Sequence, residues 1–358
     1  MFFLQSAFSL CRAIVHEVSM RRILVLLTVT IGLTGGMVPS VLEAQVNPRD
    51  VPIVAQPQQR FDGGQDVQPI FEGWTRNEDG SYLFHFGYLN RNYREQPSVE
   101  IGPENYFSPG DEDRGQPAHF YPRTQRYQFT VPMPADTGGS LEDGIAWRVT
   151  ANGSEQVAYG WLQPEWEIDA NTITSNAGTG FGRPVDQIYE NEAPAVEVSA
   201  SSTNATVGQA VTLTAMIKDD ELPALLPPRK PRSRLPSLVP PDDMPETPDN
   251  IRWYQRPRPP RNGLSVLWTV YRGPAEAKFE PSGYQRSYEE QEAETEVDGA
   301  ATEPTSSGNP ATHTAGDGFT SATFETTVTF DDPGTYTVRG WASDAMLVTT
   351  GDVTIIVQ

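Results

Sequence analysis

The 358-residue sequence has one cysteine, Cys11, and four histidines. A lone cysteine so close to the N-terminus leaves the rest of the chain with no internal disulfide, thiolate metal site or cysteine nucleophile. Extracellular exposure permits disulfides without requiring them in domains of this size, so the apolar cores must carry the stability. Basic residues are also scarce. Lys and Arg total 26 against 47 Asp and Glu, a formal net charge of -21. That balance repels phosphate backbones and anionic membrane surfaces, and argues against a nucleic-acid partner. No G-x-S-x-G elbow, P-loop or HExxH motif occurs. His85, His119 and His313 are isolated and lack metal-ligand spacing. The glycine-rich stretch from Gly178 to Gly182 has no strand before it or helix after it, so it reads as a hinge and not a phosphate cradle.

What is present begins with an export signal. Met20-Arg21-Arg22 precedes the apolar run Ile23 to Leu33, and a small, polar stretch ends at Glu43-Ala44-Gln45. This is the order of a secretory signal, too short in its apolar part to span a bilayer comfortably. Residues 1–44 are expected to be a signal peptide cleaved after Ala44, with residues 1–19 an upstream extension. An uncleaved anchor is the alternative. No second long apolar run follows, so the remainder is expected in the periplasm or outside the cell, free of the membrane.

The 32 prolines and 30 glycines suit turns and extended segments better than a helical bundle. Residues 45–65 form a polar lead-in. Residues 66–168 carry short β-type runs, clearest at 82–90, 98–101, 127–131, 145–150 and 156–162. In the run YLFHFGYL, Tyr82, Phe84, Phe86 and Tyr88 share one face while Leu83 and His85 face the other way. Residues 169–193 read as a linker. Residues 194–358 form a second β domain, with strands at 196–200, 210–217, 265–271, 323–330, 335–342 and 352–357. The expectation is an all-β chain of two sandwich domains.

Two insertions interrupt the second domain. Residues 223–262 hold 12 prolines, eight basic and four acidic residues, and residues 283–318 hold eight acidic residues and one arginine. Both have disordered compositions. In an immunoglobulin-type strand order they leave the same pole of the sandwich, where opposite charges allow a loose, salt-screened association. Tolerated spacers are the plain alternative.

The second domain resembles the PKD-like members of the immunoglobulin-like superfamily found in secreted bacterial proteins. The likeness rests on DDELP (Asp219 to Pro223), LWTVYRGP (Leu267 to Pro274) and FDDPGTYTVRGWASD (Phe330 to Asp344). Within the last of these, Asp332, Gly334 and Tyr336 have the D-x-G-x-Y spacing of a tyrosine corner. Val338 stands where antibody domains have cysteine, and Trp268 where the core tryptophan is expected. The first domain, with FGYLNRN, IGPENYFSPG and RGQPAHFYPR, is similar to a segment of an uncharacterised group of secreted bacterial two-domain proteins. That resemblance implies export and brings no catalytic residues.

Candidate site residues follow from residue type. Trp74, Tyr93, Tyr106 and Trp161, with Phe107, Tyr121 and Trp166 nearby, could form a sugar- or partner-binding face, or serve only as packing. Asp219, Asp220, Asp344 and Asp352 offer hard oxygen ligands for Ca²⁺, although ordinary turn chemistry, in which Asp caps its own backbone, is the favoured reading. No catalytic residue and no other cofactor is expected. The functional expectation is an exported, non-catalytic binding or structural protein whose partner is an envelope or extracellular protein. A carbohydrate-binding accessory protein for extracellular polysaccharide is the first alternative. A hydrolase using carboxylates of the first domain is the second.

Overall fold

The computed structural model describes residues 61–180, 182–226, 259–287 and 320–358. The expected signal peptide, most of the expected lead-in, the middle of each insertion and His313 lie outside the described residues.

The first domain is a sandwich of two three-stranded sheets. One holds β1 (Val67–Arg76), β2 (Tyr82–Asn90) and β4 (Arg123–Met133), in the order β1-β2-β4. The other holds β3 (Asn105–Ser108), β5 (Ile145–Ala151) and β6 (Ser154–Gly160), in the order β3-β5-β6. The alternation in YLFHFGYL does what its period requires: Phe84, Phe86 and Tyr88 are buried in the shared core. Trp147 on β5 lies at the centre of that core, against Phe86, Phe107, Phe120 and Phe129. Its indole N–H donates to Asn105 Oδ1 at 2.9 Å, which satisfies an otherwise costly buried donor.

The second domain packs the sheet β11-β13-β9-β7 against β12-β10-β14-β15-β8. The first sheet contains β7 (Ala195–Ala200), β9 (Val211–Lys218), β11 (Ala277–Glu280) and β13 (Ser321–Phe330). The second contains β8 (Asn204–Ala205), β10 (Ser265–Arg272), β12 (Gln285–Arg286), β14 (Gly334–Ser343) and β15 (Val348–Val357). In chain order these are the A-B-E-D and C-F-G strands of an immunoglobulin sandwich, with two short additions. The first domain repeats the same order, A-B-E against C-F-G, without the D strand. The chain is thus all-β and immunoglobulin-like in both halves. Trp268 and Val338 are buried in the second core, and the Tyr336 hydroxyl donates to Asp332 O at 2.9 Å, pinning the turn into β14.

Several expectations need correction. The strand expected at 98–101 is a single bridge, Ser98 to His119, and the paired strand lies at Asn105–Ser108. β1 was not among the clearest runs, because Pro69 and Gly73 break its pattern. The linker 169–193 carries two short helices, α1 (Ala170–Ala177) and α2 (Val185–Glu190). Asp169 caps α1 by accepting from Thr172 N at 2.7 Å, and Gly178 ends it in the left-handed conformation, φ 77°. Gly178 is therefore a helix stop, not part of a hinge.

The stems of the two insertions are neighbours. Asn262 donates to Leu226 O and accepts from Leu226 N, closing the first like a pair of strand bonds. Leu264 and Ser287 exchange bonds beside it, and Asp219 N donates to Thr320 O.

Candidate functional site

The candidate site grows out of one glycine. Gly87 lies inside β2, and a Cβ there would come within 2.5 Å of Gln125 O and 3.1 Å of Arg126 Cα. Only glycine lets β4 fold so closely over β2. At that point β4 places three residues, 126–128, opposite one, since the register passes from Phe86↔Phe129 to Tyr88↔Gln125. Tyr127 takes a positive φ of 50°, uncommon for a bulky residue. On the other flank β1 bulges between Phe71 and Gly73, which leaves Glu72 out of the ladder. Bulges of this kind re-aim side chains. Here they gather Glu72, His85, Arg126 and Tyr127 on the face of the sheet turned away from the core.

The charges of this cluster are internally settled. Arg126 meets Glu72 at 2.6 Å. Burial pushes the Glu72 carboxyl up, while Arg126 pulls it back. His85 shares a hydrogen bond with Thr75 Oγ1 at 3.0 Å, and burial lowers its pKa to about 4, so the ring is neutral at physiological pH. Tyr127 stands edge-on to His85, with centroids 6.1 Å apart, and its hydroxyl accepts from Asn176 Nδ2 of α1 at 3.0 Å.

His85, Arg126 and Tyr127 form one wall of a cleft of about 640 Å³ between the two sandwiches. The opposite wall is the β14–β15 hairpin, Met346 to Thr350, with Arg339 and Trp341 behind it. Helix α1 closes one end, where Thr179 Oγ1 donates to Met346 O at 2.8 Å. Size and position both suit a ligand site at a domain boundary.

A polar joint holds the cleft open. β10 bulges at Tyr271, and the Tyr271 carbonyl accepts from Ala118 N at 3.1 Å and His119 N at 3.2 Å. Val270 N donates to the Tyr121 hydroxyl at 2.9 Å. Arg272 grips Asp113 with two bonds of 2.8 and 2.7 Å and donates through Nε to Gln116 O. Arg339 spans the joint. It forks onto Asp352 with two bonds of 2.7 Å, donates to Gln128 O at 3.1 Å and lies 3.3 Å above the Tyr271 ring. The segment RGQPAHFYPR, without a role in the sequence reading, supplies the first domain's half of this joint.

The residues singled out from sequence fall elsewhere. Trp74 is buried, with its N–H donating to Gln163 O at 2.8 Å, so it is a packing residue and not an exposed ring. Tyr93 lies under the Arg123 guanidinium, Tyr106 faces Arg148 in the β3–β5 ladder, and Trp161 follows β6. None of the four lines the cleft. Trp166 is 41% exposed and stacks on Phe71.

The four aspartates are also divided. Asp352 is held by Arg339, while Asp344 accepts from Asn191 Nδ2, Met346 N and Leu347 N at 2.6–2.7 Å. Asp219 and Asp220 follow β9, and Asp220 accepts from Glu192 N and Leu222 N. Among the described residues, no group of three or more carboxylates, histidines or cysteines is placed to hold a metal ion. Burial, with Asp344 and then Asp220 nearby, raises the Asp219 pKa to about 7. The folded state therefore holds this proton more tightly than the unfolded chain, and the stability it contributes is lost as pH rises from about 4 through about 7. Asp219→Asn removes that loss. With Asp219 half-buried and the repulsion screened, the variant should be more stable than the parent by about 1 kcal/mol at pH 8. Urea unfolding at both pH values checks this, with the difference vanishing near pH 4.

No family model and no curated protein matches this chain. Among solved structures it is similar to the D00-D0 domain of Intimin, at 11% identity and TM-score 0.22, over 82% of this chain and 100% of that one. It is also similar to the D0-D1 domain of Intimin, at 11% identity and TM-score 0.21, over 81% and 97%. A third is the Yersinia pseudotuberculosis adhesin InvE, at 11% identity and TM-score 0.19, over 82% and 59%. The immunoglobulin-like class rests on the strand order itself. No helix among the described residues is long and apolar enough to cross a membrane.

Proposed function

We propose that the chain is an exported, non-catalytic binding or structural protein of the bacterial envelope or exterior, and that it engages its partner in the cleft between its two sandwiches. One observation carries the reading: the joint through Tyr271, Arg272 and Arg339 fixes two immunoglobulin-like domains around a preformed cleft. A preformed site lowers the ordering cost of binding. The export signal and the PKD-like segments of the second domain supply the expected place and setting. Ca²⁺ at the acidic end of that domain stays a lesser part of the proposal, because Asp352 is held by Arg339 and no three of the aspartates are placed together to hold an ion among the described residues.

The test uses the purified full chain against envelope proteins of its source cells and, in parallel, a glycan array. Leu347→Arg places a charge on the cleft wall. A partner whose affinity falls at least about tenfold in that variant, with the melting temperature kept, supports the cleft. A partner bound equally well by both proteins places recognition elsewhere. Hydrolysis of a polysaccharide panel, lost on substitution of a first-domain carboxylate, overturns the non-catalytic reading.

A further inference from the structure

The cleft is lined largely from sheet faces. β2 lies between β1 and β4, and β14 between β10 and β15. Their main-chain groups are spent in the flanking ladders, so what His85, Arg339 and Trp341 offer the cleft is side chain. Directly opposed residues share a face, which places Thr130 beside His85 on one wall and Thr350 beside Trp341 on the other. Both threonines are exposed, and neither hydroxyl has a partner among the described residues. Asn176, also exposed, spends its Nδ2 on Tyr127 and keeps its Oδ1 as an acceptor. Arg126 gives one N–H to Glu72 at 2.6 Å. Its other guanidinium N–H groups have no partner among the described residues, and 46% of the side chain is exposed.

Charge narrows the class of ligand. Among the described residues no Asp or Glu lines the cleft, so a cation meets only Arg126 and Arg339. An anion finds both arginines already paired, with Glu72 and Asp352, and approaches a chain of formal net charge -21. A wholly apolar ligand would cut the threonine hydroxyls and the Arg126 N–H groups off from water without replacing their bonds. From this lining we infer that the cleft binds a neutral oligosaccharide, held by side-chain hydroxyl, amide and guanidinium groups of both walls. A sugar hydroxyl donates and accepts at once, as a site that mixes N–H donors, an amide oxygen and hydroxyls requires. Tyr127, set outside the ladder by the bulge, adds an aromatic surface for the apolar side of one sugar ring. A peptide strand would instead seek main-chain partners, which these sheet faces have already paired. The cleft, at about 640 Å³, has room for a short oligosaccharide.

The inference rests on the cleft reading and can fail separately from it. The probes are short neutral oligomers of glucose, mannose, galactose and N-acetylglucosamine, with uronic-acid and sulfated oligomers as charged controls, titrated calorimetrically into the purified full chain. At least one neutral oligomer is expected to bind, and to lose about tenfold or more in Leu347→Arg. Thr130→Val and Thr350→Val keep shape and strand preference while removing one hydroxyl from each wall, and each should cost about fivefold. Affinity should change less than about twofold between low and high salt, because no net charge is neutralised. Binding of charged oligomers alone, lost in high salt and in Leu347→Arg, overturns the inference and leaves the cleft reading standing. So does an envelope protein bound in a Leu347-dependent way and equally by both valine variants, with no neutral oligomer bound. A neutral oligomer bound equally by the parent and Leu347→Arg puts the sugar outside the cleft and overturns both. Absence of any Leu347-dependent ligand, sugar or protein, also overturns both.

Discussion

Arg339→Ala is expected to cost about 2–4 kcal/mol and to uncouple the two sandwiches. Only 10% of the arginine side chain is exposed, and removing it leaves Asp352 without its fork, Gln128 O without a donor and the Tyr271 ring uncovered. Asp352 is 40% exposed and can recover water, which keeps the cost below that of a fully buried pair. Arg339→Lys should rescue little, because an ammonium cannot fork onto a carboxylate and lie flat on a ring at once. Urea unfolding of the parent should show one coupled transition and the alanine variant two. Hydrogen exchange at Val270 and at Ala118 to His119, whose amides are protected only by the joint, should speed up in the variant even where both domains stay folded.

Trp147→Ala should cost the first domain about 4 kcal/mol or more. The side chain is fully buried among four phenylalanines, and its removal leaves a cavity and an unpaired Asn105 Oδ1. Asn105 also donates to Val99 O and Pro117 O, so the loss reaches the segment that forms the joint. A loss of that size is comparable with the whole stability of many small domains. Calorimetry should show the first domain melting early or not folding, while the second unfolds in a separate, later transition, because its core is a separate cluster.

The same two residues show what a sequence can and cannot reveal. Trp147 sits in a strand legible from its alternation, and Tyr336 in a motif with fixed spacing, so both positions follow from local pattern. Arg339 has no local signal. Its partners Gln128, Tyr271 and Asp352 come from three strands, and only the folded chain brings them together. Gly87 was the one readable hint of the cleft, since a glycine inside an aromatic strand marks a bulge or a close backbone approach. Asp169 and Gly178 likewise bracket α1 as a cap and a stop, a signal hidden by the helix being only eight residues long. Trp74 shows the opposite error, because ring type alone does not separate a binding surface from a core.

The cleft exists as a site only if the two sandwiches are held as one body. Electron–electron spin-resonance distances test this directly. Nitroxides would be placed on cysteines at the exposed positions Asp136 and Glu197, one in each domain, with Cys11→Ser removing the native thiol. A single narrow distance distribution is expected in the parent and a broad one after Arg339→Ala. A broad distribution in the parent, unchanged by that substitution, would contradict it.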